Sequence, residues 1–183
     1  MLDLTATLTE EEIIRKATED PGAFKPLYET NFKKIFLFVF HRVGDKEASA
    51  DITQQVFLNA LSNIGKYQFR GLPFSSWLFR IAVNQCNDFF RKNKKTRMVV
   101  LEDPHIRDLY QDLTADQSWD EWERKLPAVL EQLSEDDLQL IELRYFEQRP
   151  FKEVSEIMGL TESNTKVRTY RILGRMKKIF LQK

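Results

Sequence analysis

Disulfides and multi-cysteine metal sites are excluded at once, because the 183-residue chain has a single cysteine, Cys86. Its two histidines, His41 and His105, lie in different segments, and its many acids show no metal-ligand spacing. No metal and no cofactor is expected. The phosphate-cradling pattern G-x-x-x-x-G-K-[ST] and the nucleophile pattern G-x-S-x-G are also missing, which argues against an enzyme. The longest uninterrupted apolar run is Ile35–Phe40, far short of a bilayer span, so no direct membrane insertion is expected. The start of the chain carries Asp3, Glu10, Glu11 and Glu12 in place of a basic, then apolar, leader. A cytoplasmic protein is the expectation. Glycine and proline, six of each, are too few to interrupt the chain often.

Net charge is also lacking, since 28 Lys and Arg balance 28 Asp and Glu. The balance hides segregation. Arg91–Arg97 holds five basic residues in seven, whereas Glu102–Glu123 holds eight acids and one arginine, Arg107. Glu162–Lys183 is basic again, with Lys166, Arg168, Arg171, Arg175, Lys177, Lys178 and Lys183 against Glu162. Local patches of this kind, not the mean charge, steer a protein toward phosphates.

Apolar spacings of three and four predict an all-α fold. Thr9-Glu10-Glu11-Glu12 is a capping box that opens a helix ending near Glu19. The next helix covers Ala23–Val43, with Phe24, Leu27, Phe32, Ile35, Phe36, Val39 and Val43 inward. Gly44-Asp45 separates it from one marked by Ile52, Val56, Ala60 and Ile64. A helix over Ser75–Asn93 puts Trp77, Leu78, Ile81, Ala82 and Phe89 inward, and Cys86 is read as a small core residue. Residues 1–95 therefore form one helical domain. Residues 96–118 are acidic and aperiodic, the mark of a linker or loosely docked segment. Residues 119–183 form a second small domain, with Pro127 marking a kink or a helix start.

That second domain ends in FKEVSEIMGLTESNTKVRTYRILGRMKKIF: a short apolar helix, a turn at Gly159-Leu160, and a basic helix capped by Thr161. The order suits a helix-turn-helix with its second helix in a DNA major groove. Val154, Ile157, Met158, Leu160, Val167, Tyr170 and Leu173 are expected to pack the two helices. Ser163, Asn164, Lys166, Arg168, Thr169 and Arg171 are expected to face DNA, where they can bond phosphates and base edges. The bland competitor is a solvated basic helix on a bundle. A second candidate is YQFRGLP, whose aromatics beside Arg70 can hold unstacked bases. Asn84, Asp88 and Arg91 form a polar row, expected opposite the Trp77/Ile81 stripe. Here too the plainer reading, Phe69 and Phe74 as core pegs, stays open.

Taken in order, these pieces resemble a bacterial RNA polymerase sigma factor of the sigma-70 family, in its extracytoplasmic-function (ECF) group. The resemblance runs from about Phe24 to Phe180. ADITQQVFLNAL is similar to the family's polymerase-clamp helix, FRGLPFSSWLFRIAVNQCNDFFRKNKK to its −10 melting segment, and LPAVLEQLSEDDLQLIELRYF with the helix-turn-helix to its −35 reader. It implies that Asp51, Gln54 and Gln55 face core RNA polymerase, with Gln55 standing where the family usually has Glu. It also implies that Phe69, Arg70 and the residues up to Ser75, with Asn84, Asp88 and Arg91, meet single-stranded −10 DNA. Ser163, Asn164, Lys166, Arg168 and Arg171 would contact the −35 duplex. QRPF replaces the commoner glycine-containing turn, and Ser155 the usual Ala.

The implied function is to direct core polymerase to specific promoters and assist −10 melting during transcription initiation. An anti-sigma partner is a family-level expectation that no residue identifies. The alternative is a stand-alone helix-turn-helix regulator that binds duplex DNA without polymerase; a protein-binding adaptor is a third class.

Overall fold

The computed structural model describes residues 8–93, 106–113 and 118–181, and every regular element among them is helical. The chain divides into two compact units, Met1–Arg97 and Met98–Lys183, each with its own core. The all-α expectation is met. Residues 94–105, which include the expected boundary at Lys95, most of the basic run and His105, lie outside the described residues.

In the first unit, α1 (Glu10–Glu19) opens on the expected capping box. The Thr9 amide donates to Glu12 Oε2 at 2.8 Å, and the Glu12 amide donates to Thr9 Oγ1 at 3.3 Å. Helix α2 (Lys25–Val43) stops at Gly44, whose φ of 71° is the left-handed conformation that glycine adopts without a Cβ penalty. Asp45 then caps α3 (Lys46–Ser62) by accepting the Ala48 amide at 2.8 Å. After the YQFRGLP loop comes α4 (Phe74–Asn93). Its first amide, on fully buried Phe74, donates to Glu10 Oε2 of α1 at 2.9 Å.

The core between α2, α3 and α4 is aromatic and tight. Phe38 meets Phe79 edge-on at 5.0 Å, and Phe24 meets both Phe57 and Phe74. Cys86 is fully buried, as read from the sequence. Phe32, expected inward, is exposed instead. It stacks between Tyr28 and Phe36 in an i, i+4 column that rests on Phe57.

The second unit begins earlier than expected. Within 96–118, read as a linker or loosely docked segment, α5 (Ile106–Leu113) docks by burying Ile106, Leu109 and Leu113. The Tyr145 hydroxyl donates to Asp112 at 2.7 Å, and Gln148 Nε2 donates to Asp108 at 3.1 Å. Three apolar residues in eight, diluted by acids, gave too weak a period to be legible. Helix α6 (Trp119–Leu130) is capped by Ser118 and carries Pro127 near its end, so the proline neither starts nor precedes it. Trp122 is completely buried, stacked on Phe180 at 5.8 Å with Tyr110 edge-on at 5.2 Å.

Helix α7 (Glu135–Ile141), capped by Ser134, runs into a π-turn over Glu142–Phe146. Gln148 then takes φ 49°, a left-handed conformation unusual for a side chain with a Cβ, at the place where the family resemblance would put a glycine-containing turn. The α8 (Phe151–Met158) to α9 (Glu162–Leu181) corner turns on Gly159 at φ 67°, and Thr161 Oγ1 accepts the Asn164 amide at 3.2 Å. Ser155 is buried and satisfies its hydroxyl on the Lys152 carbonyl at 2.8 Å.

Candidate polymerase and nucleic-acid interfaces

On α3 the buried side is Ile52, Thr53, Val56, Phe57 and Ala60, and Thr53 donates its hydroxyl back to the Ser49 carbonyl at 2.7 Å. That register turns Asp51, Gln54 and Gln55 outward together. Gln55 Nε2 donates to Asn59 Oδ1 at 2.9 Å, which steadies the amide but leaves it at the surface. One residue escaped the sequence reading. Leu58, 51% exposed, follows Asp51 by seven positions and so sits among the three polar residues. Its position in the period was the available signal; its apolar character concealed it.

Phe69 of the YQFRGLP loop and Phe74, the first residue of α4, part company. Phe74 is a core peg, packed with Tyr67 and Trp77 at 5.3 and 5.4 Å, whereas Phe69 stands 51% exposed next to exposed Arg70. Ser75, expected at DNA, is buried in the first turn of α4 and points into the unit, so it is withdrawn from the surface set. The polar row on α4 also needs correction. Trp77, Ile81, Asn84 and Asp88 follow one another by four, three and four positions, so the row extends the Trp77/Ile81 stripe and does not oppose it. Trp77 and Ile81 are only half-buried. They join Asn59, Asn63, Lys66, Asn84 and Gln85 around a groove of ≈ 470 Å³. Asp88 pairs with Arg91 at 2.8 Å.

Helix α9 departs most from expectation. It buries Thr165, Thr169, Ile172, Leu173, Met176 and Phe180. Thr169, expected to face DNA, is fully enclosed and donates its hydroxyl to the Thr165 carbonyl at 2.8 Å. Val167 and Tyr170, expected between the helices, are 49% and 64% exposed. Arg168 is half-buried and committed elsewhere: its Nε donates to Asp137 Oδ1 at 2.8 Å. Ser163, Asn164, Lys166 and Arg171 do face outward, and with Val167 and Tyr170 they form one surface. Lys166 pairs with Glu162 at 2.6 Å across an exposed turn, a contact weak enough to be exchanged for a phosphate.

Among the described residues no helix is long and apolar enough to cross a membrane. Comparison with known proteins gives each unit a counterpart. Residues 27–96 match the family model "Sigma-70 region 2", and residues 123–176 match "Sigma-70, region 4". The chain is 26% identical over 155 residues to the ECF RNA polymerase sigma factor SigM of Bacillus subtilis, covering 84% of this chain and 93% of that protein. Its fold is similar to that of CnrH, solved in complex with the cytosolic domain of CnrY, with a TM-score of 0.60, 17% identity and 91% and 94% of the two chains covered. It is likewise similar to the sigma factor RpoE of Bartonella quintana, solved with the anti-sigma factor NepR, with a TM-score of 0.58, 16% identity and 87% and 98% coverage. Two regions matched in family order along one chain, each on a helical unit of its own, place this protein in the sigma-70 family as a sigma factor of the ECF group.

Proposed function

We propose that the chain is a detachable specificity subunit whose two units divide promoter recognition between them. Promoter-specific transcription initiation is the business of its family; the assignment of surfaces is the proposal. The α3 face of Asp51, Gln54 and Gln55 docks on core RNA polymerase, with Leu58 supplying an apolar centre to a polar patch. Phe69 stacks on an unpaired −10 base while Arg70 and the α4 row of Asn84, Asp88 and Arg91 line the strand's path. Ser163, Asn164, Lys166, Val167, Tyr170 and Arg171 read the −35 duplex, with Val167 and Tyr170 offering apolar contact to thymine methyls.

The observation that carries this reading is the exposure of Phe69. An aromatic ring held out beside an arginine, on a loop braced by buried Phe74, is what capture of an unstacked base requires and what a duplex-only regulator has no use for. The match of 27–96 to region 2 supports it further and disfavours the stand-alone regulator. Synthesis of RNA stays with the polymerase, and the chain contributes no catalysis of its own. It acts in the cytoplasm, where polymerase and promoter are. An inhibitory protein partner is proposed by analogy with the solved RpoE complex.

Binding to purified core polymerase, followed by promoter opening in the same samples, tests the assignment. Saturable binding that Asp51→Arg abolishes, with opening of particular promoters, is the expected result. A folded chain that does not bind core would overturn it and move the stand-alone regulator to first place.

A further inference from the structure

The basic residues of α9 are not equally available, and a single carboxylate on α7 accounts for the difference. Asp137 is the third residue of α7, with its amide donating to Ser134 Oγ at 3.3 Å. Its side chain is only 9% exposed, and both oxygens face α9. Oδ1 accepts from Arg168 Nε at 2.8 Å, and Oδ2 accepts from Arg175. Arg168 also reaches Asp136 Oδ2 at 3.5 Å. Because Arg168 and Arg175 are two helical turns apart, one carboxylate on the neighbouring helix can hold both. Burial alone pushes the Asp137 carboxyl up, but hydrogen bonds from Arg175 and Arg168, with their charges, hold it below the usual aspartate range. Arg168 is 31% exposed and Arg175 56%, so it is the ion pair and not burial that sets them apart. Asp137, Asn164, Arg168, Arg171, Gly174, Arg175 and Lys178 surround one shallow groove, in which cations held by Asp137 and cations not held by it stand side by side.

We infer that Asp137 is a positioning residue for promoter selectivity: it withdraws Arg168 and Arg175 from the phosphates and leaves Arg171 and its exposed neighbours to read the duplex. The inference rests on the reading of α9 as the −35 helix. Cations that reach phosphates raise affinity for every sequence alike and make binding steeply salt-dependent. Tying two of them down lowers that common background. Selectivity then depends more on groups that can touch base edges, here Ser163, Asn164, Val167, Tyr170 and Arg171.

The test is a titration of the full chain against a mixed-sequence DNA duplex over roughly 50–200 mM salt, read by fluorescence anisotropy. Asp137→Asn should steepen the slope of log K against log salt by about 1 to 2, with binding several-fold tighter at the low-salt end. Arg168→Gln should leave the slope of the unmodified chain unchanged, yet remove about half of the gain in the Asp137→Asn background. A merely structural Asp137 would move the melting temperature without moving the slope. An unaltered slope in folded Asp137→Asn overturns the inference. So does an Arg168→Gln chain that loses as much slope as Arg171→Gln. Should Asp137→Asn fail to fold, the comparison of Arg168→Gln with Arg171→Gln decides alone. If no form of the chain binds duplex in a salt-dependent way, the reading of α9 as the −35 helix fails first and takes this inference with it.

Discussion

Helices α4 and α9 are each twenty residues long and each carries a candidate DNA surface, yet they are built on opposite terms. The inner side of α4 is mostly apolar, with Phe74, Leu78, Phe79, Ala82, Val83 and Cys86 sealed in beside Ser75 and Ser76 of its first turn. Its outer row passes from Trp77 and Ile81 to Asn84, Asp88 and Arg91, with Asp88 and Arg91 largely cancelling each other. On α9 the first two turns are buried through hydroxyls, Thr165 and Thr169, and the outer side is strongly basic. An unpaired strand presents ring faces as well as phosphates and wants aromatics along a basic path, whereas a duplex presents two phosphate rails and wants cations at a set spacing. The contrast teaches that charge alone does not mark a DNA surface.

The comparison can be broken most forcefully at the core of one unit. Trp122→Ala should cost about 3–5 kcal/mol in the second unit, because its indole is fully enclosed between Phe180 and Tyr110. Thermal denaturation of the full chain would record a transition lost or moved well down, and an unchanged melt would deny that this cluster holds the unit together. A pair of substitutions sharpens the contrast at intermediate size. Phe69→Ala should weaken promoter opening by about 1–3 kcal/mol and leave duplex binding alone. Arg171→Ala should do the reverse by a similar amount. Opening kinetics and duplex titration in parallel would show this as a crossed pattern, and matching losses in both assays would erase the division of labour. The smallest effect concerns Gly174. A Cβ built there meets nothing within 4 Å, so Gly174→Ala should stabilise the second unit by about 1 kcal/mol in a denaturant titration. Destabilisation would mean that the glycine has a backbone role in α9.

Legibility in the sequence followed the strength of the hydrophobic period. Helices α2, α3 and α4 each carry a long apolar stripe, and their ends at Gly44 and Asp45 are written in residues that act locally. On α3 the period of Ile52, Val56 and Ala60 matches the buried side, while Asp51, Gln54 and Gln55, which only the resemblance singled out, lie at the surface. Helix α5 was missed because its core contribution is three residues long and its surroundings are acidic. On α9 polarity misled. Thr165 and Thr169 look like surface residues, but each hydroxyl returns to a carbonyl one turn back and the methyl side packs inward. Burying them rotates the helix, and the rotation carries Val167 and Tyr170 out. Arg168 could not be assigned from one helix alone, since its partner Asp137 lies 31 residues away.

The contact between Glu10 and the Phe74 amide joins the first turn of α1 to the first turn of α4. Sixty-four residues of sequence separate the two, and in space they are one joint. Helix α1 is therefore tied to the start of the helix that carries the Asn84, Asp88 and Arg91 row. Whatever takes hold of α1, whether a partner protein or a fused segment, takes hold of the near end of α4, and so of the helix with the proposed −10 row, as well.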